Sequence, residues 1–251
     1  MTKGTLERGS EWRKWDLHIH TPASFHWGGK KFDADPASKA NADLVDEMIA
    51  ALNAAEPAVF ALMDYWTFDG WFALKRRLGE AGAPKLNKTV FPGIELRLSA
   101  PMKTRLNAHV LFSDEVTDQD LRDFKSALKV EIVERPLSDD CLVELAGKVG
   151  EDKLKHHGFK KADIDSDVQQ ALLAGSTIAE INCESYKAAI DKVANGHAVG
   201  FMPFDLGKAI AGVIGHEANR MSVRDLVDCS LVAITVDFCD FGAGQKRLVT
   251  I

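Results

Sequence analysis

The residues of this chain with the clearest chemical potential are two histidines, His18 and His20, which are separated by one residue. Residues 15–20 alternate apolar and polar side chains, which predicts a β-strand with both imidazoles on one face, roughly 6–7 Å apart. Such a pair is able to bind one cation, and imidazole favours zinc, manganese or iron over calcium. An isolated pair of this kind often arises by chance or serves core hydrogen bonding. Its position directly before the break at residues 21–24 favours metal binding.

Other acidic and imidazole side chains lie at the ends of further predicted strands. Short apolar or alternating segments predict strands at residues 58–63, 89–98, 108–112, 198–202 and 231–237. Amphipathic segments predict helices at residues 44–52, 70–78, 185–194 and 222–227. Strands alternating with helices predict a parallel sheet or barrel, in which the carboxyl ends of the strands meet at one rim. We therefore expect convergence of His18, His20, Asp64, Glu95, His109, Asp205 and Asp237.

The charge of the chain is unevenly distributed. The 251 residues carry a formal net charge of −6. The segment from Asp114 to Asp167 holds 15 acidic and 9 basic residues, and the remainder holds 22 of each. A net negative charge argues against a stand-alone nucleic-acid binder held by bulk electrostatics. We expect a single domain over residues 1–251, with a helical acidic insertion at residues 114–177.

Several classes of protein are disfavoured by what the sequence contains. No apolar run reaches the roughly 18 residues of a membrane span. No G-x-x-x-x-G-K-[ST] phosphate loop occurs, so the chain has no predicted ATPase activity of its own. The four cysteines show no C-x-x-C spacing and are interpreted as reduced thiols, which predicts a cytoplasmic protein.

Five segments together resemble the PHP (polymerase and histidinol phosphatase) superfamily of metal-dependent phosphoesterases. Residues 16–24 resemble its first motif, and His26 stands where that family places a third histidine. Residues 61–65 resemble the second motif, with Tyr65 in place of its usual histidine. Residues 92–95 resemble the segment with the bridging glutamate, and residues 107–110 resemble the next histidine-bearing strand. The string at residues 12–22 is most similar to the N-terminal PHP domains of TrlF-type AAA-like ATPases.

The resemblance implies a fold, a cofactor and a set of site residues. The implied fold is α/β, a distorted (β/α)7 TIM-like barrel. The implied cofactor is divalent metal, manganese, zinc or iron, with two ions bridged by Glu95. The implied metal ligands are His18, His20, His26, Glu95, His109 and Asp205. Catalytic roles fall to Asp64, Glu95 and His109, with Asp64 orienting a ligand histidine or accepting a proton, while Lys14 and Arg97 are candidates for holding a substrate phosphate.

Two departures from the family pattern concern the end of the chain. Asp205 follows a Met-Pro-Phe segment at a place where the family has a histidine before a proline. The last family motif, a D-x-H pair, does not occur before Ile251. We therefore expect a barrel that lacks its last β/α unit, with an incomplete metal site, or the first part of a longer protein.

Three functions follow from these features. The leading hypothesis is a metal-dependent phosphoesterase that acts on a nucleotide or nucleic acid. The alternatives are a degenerate PHP module that binds or scaffolds, and a metal-dependent amidohydrolase, whose barrel also opens with H-x-H. Glu95 after Pro92, Gly93 and Ile94 argues against the amidohydrolase, which requires a bridging lysine. An AAA-like ATPase partner or domain, and a role in nucleic-acid metabolism or phage defence, follow from the resemblance alone.

Overall fold

The computed structural model describes residues 13–99, 106–194 and 196–201. The strands in these ranges are β1 (Trp15–Ile19), β2 (Val59–Tyr65), β3 (Thr89–Leu98), β4 (Leu106–Phe112), β5 (Lys129–Val130), β6 (Arg135–Pro136) and β7 (Ala198–Phe201). The helices are α1 (Lys39–Ala54), α2 (Asp69–Leu78), α3 (Asp118–Ala127), α4 (Asp139–Lys148), α5 (Glu151–His156), α6 (Lys161–Ser166), α7 (Val168–Ile178) and α8 (Cys183–Ala188), the last continued by a π-helical turn (Ala189–Val193). Within these ranges, no helix combines the length and apolar character needed to cross a membrane.

Five strands of the described ranges form one mixed sheet in the order β1-β2-β3-β4-β7. β1, β2 and β3 are parallel, whereas β4 is antiparallel to β3 and β7 is antiparallel to β4. Strand β4 therefore runs opposite to the other four strands, and the prediction of a parallel sheet is wrong at β4. The connection between β3 and β4 is residues 99–105, and a parallel crossover needs about a dozen residues or more. The short connection accounts for the reversal of the chain.

Helices α1 and α2 cover one face of the first strands. The side chain of Ser38 accepts a hydrogen bond from the backbone of Asn41 and so caps the start of α1. One stripe of α1, which includes Val45 and Ile49, packs with α2 against the β2 residue Phe60. All seven residues of β2 are buried, as predicted from its continuous apolar run.

The segment predicted as a helical acidic insertion is helical, with the addition of the short β5–β6 hairpin. Its apolar residues join the largest core cluster, in which Leu121 and Phe124 of α3 lie with Leu96 of β3. Helices α4 and α7 approach closely, because a Cβ added at Gly175 would lie 2.0 Å from the carbonyl oxygen of Leu142. The carboxyl end of α7 lies against the sheet, because the carbonyl oxygens of Ser176 and Thr177 accept hydrogen bonds from Arg97 of β3.

The first strand departs from the predicted alternation. The pairing of β1 with β2 changes register between Asp16 and Ile19. Leu17 packs with Ala61 and Met63, while the adjacent His18 also contacts residues on that side of the sheet. The prediction that all apolar residues of β1 lie on the opposite face is therefore wrong at Leu17. A local irregularity of this kind re-aims side chains near functional sites.

A closed seven-unit barrel stays a prediction. The segments assigned to its last units fall within residues 202–251, outside the residues that the structure describes, and so do Asp205 and Asp237. Glu95 and His109 lie on the face of the described sheet that is opposite α1 and α2.

Candidate metal centre

The register of the sheet places four residues side by side on neighbouring strands. Tyr65 of β2 is paired with Glu95 of β3, Glu95 with His109 of β4, and His109 with Phe201 of β7. Residues directly opposite one another in a sheet project from the same face. His109 is in the middle of β4, so the prediction that it lies at a strand end is wrong. Antiparallel pairing with β3 places it beside Glu95.

Glu95 lies at the centre of the site and is 1% exposed. Its Oε2 lies 2.8 Å from Nε2 of His18 and 3.5 Å from Nε2 of His20. Its Oε1 accepts a hydrogen bond from Nδ2 of Asn107 at 2.9 Å and lies 3.7 Å from Nε2 of His109. One carboxylate therefore faces three imidazoles, and its orientation is fixed by an amide.

The imidazoles pack against one another as well as against Glu95. The ring centroid of His18 lies 4.6 Å from that of His109 and 4.9 Å from that of His20. One ligand atom from each of His18, Glu95 and His109 lies within 4.8 Å of the other two. Two imidazole nitrogens and a carboxylate oxygen are a donor set that zinc, manganese and iron accept. The residues present therefore fit a divalent transition metal.

The surroundings keep His20, Glu95 and His109 in the protonation states that a metal requires. Burial lowers the pKa of His109 to about 3, although Glu95 opposes the shift. Burial and the nearby His18 lower the pKa of His20 to about 4. Burial raises the pKa of Glu95, but its hydrogen bond with His18 and the proximity of His109 outweigh this, so the net shift is downward. Near neutral pH, two imidazoles are uncharged and the carboxylate is ionised, as metal binding demands.

Asp64 supports the turn that follows His20. Its Oδ1 accepts from the backbone N–H of Thr21 at 2.7 Å, and its Oδ2 accepts from the Thr21 hydroxyl at 2.6 Å. Gly70 lies against this contact, because a Cβ added there would lie 2.3 Å from Oδ2 of Asp64. These contacts are with Thr21, and a role for Asp64 in orienting a ligand histidine or accepting a proton stays a prediction.

Arg97 and His26 meet in a second cluster on the same face of β3. One terminal guanidinium nitrogen of Arg97 lies 3.0 Å from Nε2 of His26. The other donates to the carbonyl oxygens of Ser176 and Thr177, at 3.0 Å and 2.9 Å, in the last turn of α7. Arg97 is 5% exposed, so the structure buries this candidate phosphate ligand within the protein.

The structure does not bring the remaining predicted residues to the centre. Lys14 precedes β1 at the opposite end of the strand from His20, and its ammonium pairs with Glu56. His26 lies with Arg97 rather than within the His18–Glu95–His109 group. A role for Lys14 or Arg97 in binding substrate stays a prediction.

Two residues of the site, Asn107 and Tyr65, were not predicted to contact Glu95. Asn107 holds Glu95, and the Tyr65 hydroxyl also hydrogen-bonds to Glu95. Tyr65 stacks on His20 with ring centroids 5.4 Å apart. Trp66, the next residue, has a φ of 66°, which is unusual for a bulky side chain. The motif positions of Asn107 and Tyr65 were visible in the sequence, but their pairing with Glu95 depends on the sheet register.

Comparison with known proteins gives weak likenesses. No protein-family model and no curated protein matches the chain. It is similar to the structure of an amidohydrolase from Chromobacterium violaceum, solved with bound sulfate and without metal, at 15% identity and a TM-score of 0.43, covering 86% of this chain and 73% of that one. It is also similar to a protein from Bifidobacterium adolescentis assigned as a metal-dependent phosphoesterase, at 13% identity and a TM-score of 0.39, with the same coverage of 86% and 73%. Both TM-scores are below 0.5, so neither likeness assigns the chain to a family.

Proposed function

We propose that this protein is a metal-dependent hydrolase that acts on phosphate esters. The observation that carries the proposal is the group formed by His18, Glu95 and His109, whose ligand atoms lie within 4.8 Å of one another, with His20 beside them. A divalent cation held by these residues supplies Lewis-acid activation of water and of a phosphoryl oxygen.

The chain's own residues prepare this site for a cation and a substrate. Asn107 and Tyr65 fix the Glu95 carboxylate, so the charged group does not need to reorganise when a ligand enters. The side chains of Glu95 and His109 are each 1% exposed, whereas those of His18 and His20 are 15% and 27% exposed. Substrate therefore approaches from the side of His20, and the floor of the site excludes water.

The residues around the cluster favour a phosphoester over an amide substrate. The central group is the carboxylate of Glu95, and the described residues in contact with it are histidine, asparagine and tyrosine rather than a bridging lysine. The similarity of residues 16–24 and 92–95 to PHP motifs supports the same choice. The net charge of −6 favours a nucleotide or small phosphate ester over a long duplex.

The test compares metal-dependent turnover in matched variants. The purified chain is stripped of metal, reloaded with Mn²⁺, Co²⁺ or Zn²⁺, and assayed on bis(p-nitrophenyl) phosphate and p-nitrophenyl phosphate. We expect metal-dependent release of nitrophenol that is lost in His18→Ala and retained in His156→Ala, a change at an exposed histidine on α5. Tight metal binding without turnover would favour the binding module, and turnover of amide substrates alone would favour an amidohydrolase. Absence of bound metal would overturn the proposal.

A further inference from the structure

Arg97 holds a position that bears on how many metal ions the site accepts. It lies two residues after Glu95 on β3 and therefore projects from the same face. Its guanidinium is buried and has no carboxylate partner among the described residues. Three aromatic rings surround it, since its Cζ lies 4.7 Å from the ring of Tyr65, 5.4 Å from that of Phe25 and 6.0 Å from that of Trp66. A permanent cation is thus built in beside the metal centre.

We infer that the centre holds a single divalent ion, bound by His18, His20, Glu95 and His109. The Arg97 guanidinium supplies the positive charge that a second ion would otherwise bring, and it keeps His26 from binding metal. The inference rests on the proposed function, because it concerns the same site. It departs from the two bridged ions that the sequence resemblance implies.

The hydrogen bond between Arg97 and His26 has one possible direction. A guanidinium carries only donors and stays protonated in proteins, so Nε2 of His26 must be the acceptor in the 3.0 Å contact. The lone pair of Nε2 is therefore engaged, and a proton on the neutral ring resides on Nδ1. Metal binding through Nε2 would require this contact to break.

The Arg97 side chain is held in a way that resists such a break. Two of its hydrogen bonds end on carbonyl oxygens in the last turn of α7, where the helix dipole favours a positive charge. Trp66 binds the same turn through a hydrogen bond from Nε1 to the Ser176 carbonyl oxygen at 3.0 Å. Moving the guanidinium away would break its hydrogen bonds to both of these carbonyl oxygens.

Charge balance also favours one ion. Glu95 is the one carboxylate directed at the imidazoles in the described part of the chain, because Asp16 accepts from the backbone of His18 and Asp64 accepts from Thr21. Two divalent ions beside Arg97 would place five positive charges around the single buried carboxylate that the described residues direct at the imidazoles. Like charges at such short distances repel strongly where water is excluded.

The test is the stoichiometry of Co²⁺ binding to the whole chain, measured by elemental analysis after desalting and by titration followed by absorption. We expect one equivalent in the natural protein. We also expect one equivalent with affinity within about twofold in His26→Ala, and a loss of more than about tenfold in affinity in His18→Ala, the size expected when a metal-site residue is removed. Two tight equivalents in the natural protein, or loss of an equivalent in His26→Ala, would overturn the inference. Either result would leave the proposed hydrolase intact, whereas no bound Co²⁺ at all would overturn the proposed function itself.

A second set of variants tests Arg97 directly. Arg97→Met removes the charge, so a second, weaker equivalent is expected, and it should disappear in the double variant Arg97→Met/His26→Ala. A folded Arg97→Met protein that still binds one equivalent would contradict the role assigned to Arg97. If Arg97→Met does not fold, nitrogen-15 NMR of the natural protein decides the point. We expect Nε2 of His26 to be unprotonated and its resonance to be unchanged by Zn²⁺. A shift typical of a metal-bound nitrogen would overturn the inference.

Discussion

Glu95 and Arg97 lie two residues apart on one face of β3, but the surroundings of the two side chains are opposite in kind. Glu95 faces three imidazoles that are able to share a cation. Arg97 faces carbonyl oxygens and aromatic rings, which satisfy a cation that is already part of the chain. A buried anion among neutral imidazoles attracts a cation, whereas a buried cation among carbonyl oxygens and aromatic rings is already satisfied.

The largest expected effect comes from removing the negative charge of Glu95. Glu95→Gln deletes the charge that faces the imidazoles while keeping the shape of the side chain. We expect the affinity for Co²⁺ to fall about 1,000-fold, in line with the roughly 3–5 kcal/mol lost when one partner is removed from a buried ion pair. Isothermal titration calorimetry measures the change. Glu56→Gln, at an exposed residue paired with Lys14, is the matched control and should bind as the natural protein does. Equal affinity in the two variants would contradict the central role of Glu95.

The next largest effect is a loss of folding stability when the positive charge of Arg97 is removed. Arg97→Met removes two charged hydrogen bonds to the end of α7. We expect the free energy of unfolding to fall by about 3 kcal/mol, because each such bond contributes at least about 1.5 kcal/mol. Urea unfolding followed by circular dichroism measures the change. Arg122→Met, which removes an exposed arginine packed over Phe72, should cost less than about 1 kcal/mol. A small effect at Arg97 would mean that α7 does not depend on this anchor.

The two clusters differ in how far the sequence alone predicts them. The spacing of His18 and His20 and the short motifs around Glu95 and His109 are local patterns, so these residues were identified as one site. Their mutual contacts follow from register, which the antiparallel turn of β4 sets and which periodicity did not predict. Asn107 could be placed beside Glu95 only after that register was known.

The Arg97 cluster depends on contacts that no local pattern encodes. Arg97 meets Ser176 and Thr177, which follow it by 79 and 80 residues. The sequence marks residues 114–177 by composition and helical character but gives no sign of where the end of α7 docks. His26 was predicted as a metal ligand from its place in a motif, and the structure instead pairs it with Arg97.

The turn between the two clusters gives a third, smaller effect. A Cβ added at Gly70 would lie 2.1 Å from Oγ1 of Thr21, so Gly70→Ala must displace the Asp64–Thr21 contact. We expect a loss of about 2–3 kcal/mol in unfolding free energy, the range for forcing an extra carbon into a packed site. Gly147→Ala, in α4 with open space around it, is the matched control and should be neutral or stabilising by up to about 1 kcal/mol. Metal affinity should also weaken in Gly70→Ala, because the displaced residue Thr21 directly follows His20.

The last expected effect is a gradual one, a pH dependence that isolates Asp64, the carboxylate that hydrogen-bonds to this turn. Burial raises the pKa of Asp64 to about 7, from an ordinary value of 3.8. Between these values the unfolded chain has released a proton that the folded chain retains, so this group's contribution to stability falls as pH rises from about 4 to 7. The lowered pKa values of His20 and His109 act in the opposite direction, because stability falls as pH drops below 6.5 toward them.

Asp64→Asn separates these opposing contributions, since both proteins keep the same histidines. The unfolding free energy of the natural protein, minus that of the variant, should decrease by about 1 kcal/mol per pH unit between pH 4 and 7 and level off above that. Urea unfolding of the metal-free proteins at several pH values measures the difference. A difference that is flat across this range would mean that Asp64 is ionised throughout in the folded protein. The turn would then be held by a charged carboxylate, which would make Asp64 a third buried charge alongside Glu95 and Arg97.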